Sequence, residues 1–162
     1  MSDKADRLAG ALVLLASSTP RIVLALLALV VAFMIVFAMP SLVLATIMLS
    51  LDRGAGTHFF NPAQGGDPIL WQHLFWWFGH PEVYIIFVPA LGMLSSIIAT
   101  FSRRPVFGYP AVVLSMIGTG FLSFGLWVHH MFATPLPQLG QSFFTASSAL
   151  IAVFTGTQIF CW

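Results

Sequence analysis

The chain has 162 residues, of which 59% are hydrophobic and only 7% are charged. A soluble globular protein carries about 25% charged residues, so this composition indicates an integral membrane protein. The six basic residues lie near the ends of apolar segments, which argues against a nucleic-acid-binding surface. The one cysteine, Cys161, excludes an internal disulfide and any metal site built from several cysteines.

Four apolar segments are long enough to cross a bilayer, which takes about 20 helical residues. The sequence predicts an all-α, integral membrane helical bundle with spans over about residues 22–51, 69–101, 107–128 and 142–162. These spans form one domain over residues 22–162, and residues 1–21 precede it as an unassigned lead-in. The glycine-rich stretch 52–67 is typical of a polar loop, and Pro68 suits the first turn of the next helix.

The basic residues favour one orientation in the membrane. Four spans place both termini on the same side, and that side also holds Lys4, Arg7, Arg21, Arg103 and Arg104. Only Arg53 lies in an outer loop. Because basic residues concentrate in cytoplasmic segments, we expect both termini to be cytoplasmic.

Three histidines are predicted to meet inside the membrane. His80 precedes Arg103 by 23 residues, a rise of about 35 Å, and His129 follows Phe107 by 22 residues, or about 33 Å. The two helices are antiparallel neighbours across a short loop, so His80 comes level with His129 and His130. Three neutral imidazoles at one depth suit copper, zinc or iron. Adjacent residues on a regular helix splay by about 100°, so this pair shares one metal only if the helix ends or unwinds there.

Two further ionisable residues lie close to His80 in the sequence. Tyr84 follows at i+4, on the same helix face, where a phenol beside a metal can give an electron and a proton. Glu82 follows at i+2 and points away, where its carboxyl can serve a separate proton route. It is the only acidic residue inside a predicted span, and ionisable groups there are functional candidates. We interpret His58 and His73 as structural.

Two stretches resemble a known family. They are Gly-Asp-Pro-Ile-Leu-Trp-Gln-His-Leu-Phe-Trp-Trp-Phe-Gly-His-Pro-Glu-Val-Tyr, residues 66–84, and Trp-Val-His-His-Met-Phe, residues 127–132. Both closely resemble subunit I of the haem–copper terminal oxidases, and the match runs from about Val30 to the C-terminus. The tyrosine two residues after the glutamate resembles the A-type oxygen reductases and argues against the related nitric-oxide reductases. The resemblance implies that the chain supplies about helices five to eight of a twelve-helix subunit.

The resemblance also implies roles for individual residues at the predicted metal site. His80, His129 and His130 are implied to ligate copper B, the metal that faces a high-spin haem iron. Tyr84 is implied to be joined covalently to His80 and to donate an electron and a proton. Glu82 is implied to be the proton branch point for chemistry and pumping.

Other positions follow the family less closely. Ser148 and Thr155 match positions along the family's second proton path, but Gln158 stands where a lysine is usual and cannot carry its charge. Phe154 stands where the family often has proline. Trp76 matches an aromatic residue packed against the copper site.

The implied function is the copper B-binding part of a proton-pumping terminal oxidase, which reduces O2 to water in a bacterial-type inner (plasma) membrane. Implied partners are subunits II and III, a chain supplying the missing helices, and cytochrome c or quinol as electron donor. The family's haem-ligating histidines find no counterpart here, so we expect the chain alone to be inactive. The alternatives are a non-catalytic membrane fragment that binds no haem and, less favoured, a nitric-oxide reductase.

Overall fold

The computed structural model describes the backbone of residues 2–162 and the side chains of residues 25–162. All regular structure in this part of the chain is helical. The α-helices are α1 (Ser2–Gly54), α2 (Pro68–Ser102), α3 (Tyr109–Leu122) and α4 (Gln138–Cys161). Three short 3-10 helices cover Pro62–Gln64, Ser123–Gly125 and Trp127–Met131. The predicted all-α membrane bundle is confirmed.

The helix bounds depart from the predicted spans in three places, the first of which is α1, which begins at Ser2 and not at residue 22. The stretches long and apolar enough to cross a membrane are Ala25–Gly54, Pro68–Ser102 and Gln138–Cys161. The third predicted span is not one continuous α-helix: α3 ends at Leu122 and the chain continues in 3-10 turns to Met131. Helix α4 begins at Gln138, earlier than predicted. The lead-in over residues 1–21 belongs to the stretch whose side chains lie outside the described residues, so its role stays a prediction.

The helices pack in two pairs that join through α3. Helix α1 lies along α2, α3 lies along α4, and α3 also contacts α1 and α2. Glycines allow the close approaches: a Cβ added at Gly120 would lie 2.7 Å from Val30, and one at Gly118 would lie 2.6–3.0 Å from the Phe154 ring. Without a hydrophobic driving force in lipid, such tight van der Waals packing is a main source of helix association.

A small apolar core anchors one end of the unit. It consists of buried side chains from α1, α2 and α3, namely Leu27, Val88, Leu91, Val112 and Met116. Val106 from the α2–α3 loop and Trp162 pack against it. The indole N–H of Trp162 donates to the Ser95 hydroxyl over 2.9 Å, which ties the end of α4 to α2.

At the opposite end of α2, a compact loop fixes where that helix begins. The Asp52 carboxylate accepts hydrogen bonds from the Thr57 hydroxyl at 2.7 Å and from the backbone N–H groups of Phe59 and Phe60 at 2.9 and 3.0 Å. The Asp67 side chain then caps the first turn of α2. Contacts therefore hold α2 both at its first turn and near its last turns.

Candidate metal centre

Three imidazole rings meet where α2 faces the end of the α3 segment. His80 lies in the middle of α2, while His129 and His130 lie on the 3-10 helix Trp127–Met131. His80 Nδ1 is 3.0 Å from His130 Nε2 and 3.1 Å from His129 Nε2. One ligand atom from each of the three residues lies within 4.8 Å of the others. The structure thus brings together the three histidines that the helix heights placed at one level.

The change from α-helix to 3-10 turns lets adjacent histidines face one point. Regular α-helix ends at Leu122, and the His129 N–H bonds the Leu126 carbonyl at 3.0 Å, an i to i+3 turn. The His129 and His130 ring centroids are 4.4 Å apart at 60°. The pair can share one ion only with such unwinding, because adjacent residues of a regular α-helix point about 100° apart.

A hydroxyl on α4 orients His129. The Ser148 Oγ lies 2.8 Å from His129 Nδ1, and the Ser148 hydroxyl donates its one proton to the Phe144 carbonyl at 2.6 Å. Ser148 therefore accepts a hydrogen bond from Nδ1–H of His129. This assigns the tautomer in which His129 Nε2 is unprotonated and turns its lone pair to the other two rings.

An indole orients His130. The rings of Trp76 and His130 are stacked, with centroids 4.0 Å apart and planes only 10° from parallel. The Trp76 N–H donates to the Gln72 side-chain oxygen at 2.9 Å, one turn earlier on α2. Trp76, which resemblance placed beside the metal, is thus in direct contact with one candidate ligand.

Tyr84 packs on His80, one helical turn away. The two ring centroids are 4.7 Å apart at 67°. His80 is only 3% exposed, and its Nε2 atom is buried without a hydrogen-bond partner among the described residues. The ring nitrogen of His80 that does not face the other histidines therefore has no hydrogen-bond partner among the described residues.

Glu82 is not part of this cluster. It lies on an exposed face of α2, beside Val83, which is also exposed. The i+2 spacing from His80 predicted this separation. In a membrane, a carboxyl on an outer helix face is costly unless protein or water covers it.

The three residues matched to a second proton path lie at different depths of α4. Ser148 is at the histidine cluster, as described above. Thr155 bonds only its own helix, with its hydroxyl 3.2 Å from the Ala152 carbonyl. Gln158 is fully buried, and both polar atoms of its amide are unpaired among the described residues. Within that part of the chain, no side-chain hydrogen bond links the three.

Three side-chain contacts near the histidines were not among the sequence predictions. His73 is held by the Trp127 indole N–H, 3.2 Å from His73 Nδ1, which agrees with a structural role. Gln72 was not singled out, although its i−4 spacing from Trp76 was readable. The contact of Ser148 with His129 had no sequence signal, because it joins two separate helical segments.

The donor set fits one metal ion. At metal–nitrogen distances of about 2.0 Å, tetrahedral or trigonal ligand nitrogens lie about 3.3–3.5 Å apart. The observed 3.0 and 3.1 Å separations need to widen by only a few tenths of an ångström. If His80 Nδ1 carries a hydrogen, that hydrogen can bond well to the lone pair of only one of the two facing Nε2 atoms. A cation among the rings can instead bind the lone pairs of all three nitrogens. Imidazole nitrogen suits copper, zinc and iron.

A comparison with known proteins identifies the family to which the chain belongs. Residues 12–162 match the model of the family described as Cytochrome C and Quinol oxidase polypeptide I. The chain belongs to this family. The resemblance drawn from the two motifs is thereby confirmed: the family is that of haem–copper oxidase subunit I.

Three bacterial members of the cytochrome c and quinol oxidase polypeptide I family are close relatives. The chain is similar to cytochrome c oxidase subunit 1 of Cereibacter sphaeroides, at 50% identity over 133 residues. It is 46% identical to that of Bacillus subtilis (strain 168) and 47% identical to that of Bacillus sp. (strain PS3). Each match covers 82% of this chain but only 24%, 21% and 22% of the relative, respectively. The chain therefore spans less than a quarter of the length of these relatives.

Proposed function

We propose that this chain forms the copper-holding part of the catalytic subunit of a respiratory terminal oxidase, which reduces O2 to water and pumps protons. The observation that supports it most is the convergence of three imidazole nitrogens within a membrane helix bundle. Copper held there by the three imidazoles would supply a redox-active metal to the complete subunit.

His80, His129 and His130 are the proposed ligands, through His80 Nδ1 and the Nε2 atoms of the other two. The tautomer that Ser148 selects in His129 supports this, because a ligand nitrogen must be unprotonated. The parallel indole of Trp76 holds the third ring beside the other two. Two of the three proposed ligands, His129 and His130, thus have a neighbouring side chain that orients the ring, as metal-binding histidines usually do.

Tyr84 is proposed to be joined covalently to His80 and to give an electron and a proton. If His80 Nδ1 binds the metal, its Nε2 would carry a hydrogen that is buried without an acceptor among the described residues. An unsatisfied buried donor costs about 1–3 kcal/mol. Replacing that N–H by a bond to the neighbouring phenol ring removes the cost, and the 4.7 Å ring separation makes Tyr84 the available partner.

Glu82 is proposed to pass protons from the side of α2 that faces away from the metal. Its exposed position in this four-helix unit supports a complete assembly in which further helices cover that face. We propose that these belong to the rest of subunit I and to subunits II and III, with cytochrome c or quinol as electron donor. The assembly would lie in a bacterial inner membrane with both ends of this chain cytoplasmic.

A second proton route through Ser148, Thr155 and Gln158 is proposed in a modified form. The Gln158 amide is buried and has no partner among the described residues, which supports an ordered water at that point, since buried polar groups are nearly always hydrogen-bonded. An amide can extend a water chain but does not take up a proton at neutral pH. This route would therefore relay hydrogen bonds at Gln158 without storing charge there.

The test is the metal and haem content of the full chain, purified from its native membrane with any partners. Copper, two haems and additional subunits are the expected result. His80→Ala should lose the copper, whereas His58→Ala, an exposed loop change, should keep it. A wild-type preparation without copper or haem would overturn the proposal in favour of a non-catalytic membrane protein.

A further inference from the structure

The two adjacent histidines of the centre are supported in different ways. His129 has a hydrogen bond on the nitrogen that faces away from the cluster, from Nδ1–H to Ser148. Among the side chains that the structure describes, no such bond reaches His130 Nδ1, and His130 is the most exposed of the three rings. The contact that sets the plane of His130 is the parallel indole of Trp76.

The Trp76 indole is itself held on several sides. Its N–H donates to Gln72 over 2.9 Å. A Cβ added at Gly79 would lie 3.0 Å from Trp76 Cε3, so the indole fills the space that the missing side chain leaves. The Phe75 ring meets it edge-on, with centroids 5.0 Å apart. Of these contacts, the hydrogen bond to Gln72 is the directional one, because it requires the Trp76 N–H to point at the Gln72 oxygen.

We propose that Gln72 is a positioning residue of the metal centre. By holding the Trp76 N–H it fixes the surface on which the His130 ring lies, and it thereby aims His130 Nε2 at the point shared with His80. The inference rests on the proposed function, because it concerns the third ligand of that metal. Among the described side chains, the hydrogen bond of the Gln72 amide is the one with Trp76, so its effect on His130 passes through that indole.

The experiment uses the full chain with its partners, and the probe is copper itself. Copper affinity is measured by competition with a chelator, and the number of imidazole ligands is counted by copper X-ray absorption. Gln72→Leu should lower the copper affinity about 10–100-fold, as does the loss of other residues that orient a metal-binding histidine. The number of imidazole ligands on copper should fall from three to two. Gln72→Glu keeps an acceptor oxygen and should stay near wild type. Gln141→Leu, whose amide bonds only the Leu136 carbonyl, is the matched control.

A double-mutant cycle tests the route through the indole. Trp76→Phe keeps a ring against His130 but has no N–H, so adding Gln72→Leu to it should cause no further loss of copper. Additive losses of copper affinity in the double variant would contradict an effect of Gln72 through Trp76. A Gln72→Leu chain with wild-type affinity and three imidazole ligands would contradict the positioning role itself. An equal loss in Gln141→Leu would show a general folding effect and overturn it too. Wild type without copper would overturn the proposed function, and this inference with it.

Discussion

Ser148 of α4 and His129 of the 3-10 segment are joined by a hydrogen bond of 2.8 Å between Oγ and Nδ1. The serine gives its own proton to the Phe144 carbonyl, so it acts as an acceptor toward the histidine. One bond therefore fixes both the tautomer of His129 and the position of the unwound segment against α4. Ser148 lies at the candidate metal centre itself, in addition to any part in a proton route.

Removing this hydroxyl should weaken the metal site. We expect Ser148→Ala to lower copper affinity about 10–100-fold, because His129 loses the partner that orients it. Ser148→Thr keeps the hydroxyl and should largely restore binding. Ser147→Ala, at the preceding position of the same helix, is the control. Titration with copper against a chelator measures all four chains, and an unaffected Ser148→Ala chain would contradict the assignment.

Gly118→Ala should destabilise the helix bundle. The added Cβ would lie 2.6–3.0 Å from the Phe154 ring, and overpacking of this kind costs about 1–3 kcal/mol. At Gly156 of α4 no atom of the described residues lies within 4 Å of an added Cβ, so Gly156→Ala should be neutral or stabilising through helix propensity. Thermal unfolding of both variants in the same detergent decides the matter. Equal melting temperatures would show that the contact between α3 and α4 accommodates the added methyl group without loss of stability.

The proposed bond between His80 and Tyr84 has a direct mass signature. A carbon–nitrogen link replaces one N–H and one C–H, with O2 as the oxidant, so the peptide containing both residues should be lighter by two hydrogen atoms. Peptide mass spectrometry of the assembled oxidase measures this. Tyr84→Phe removes the phenol and should show the unmodified mass. A wild-type peptide of full mass would count against the link.

Glu82→Gln should separate proton delivery from metal binding. The carboxyl lies on an exposed face of α2, away from the three imidazoles, so its replacement should leave copper stoichiometry unchanged. In the assembled enzyme we expect proton uptake to stall and turnover to fall steeply, since an amide cannot pass a proton through ionisation. Copper analysis and proton-uptake kinetics on one preparation test both statements. Normal turnover would remove the assigned role.

Composition and residue spacing are enough to predict the class of protein and the members of the candidate site. Low charge and long apolar segments are enough to predict membrane helices, because lipid leaves few other ways to satisfy the backbone. Helical rise placed His80 level with His129, and i+2 and i+4 spacings separated Glu82 from Tyr84 on α2. These are local properties of a helix, so they can be read along the chain.

Tertiary structure decided how the rings are held. The α-helix ends at Leu122, well before the histidine pair, a boundary that the apolar run from residue 107 to 128 did not reveal. The contacts of Ser148 with His129 and of Trp76 with His130 join residues 19 and 54 positions apart. Such contacts depend on how antiparallel segments slide and rotate against each other. That register is set by the packing of many side chains and the few glycines between them, and no local pattern encodes it.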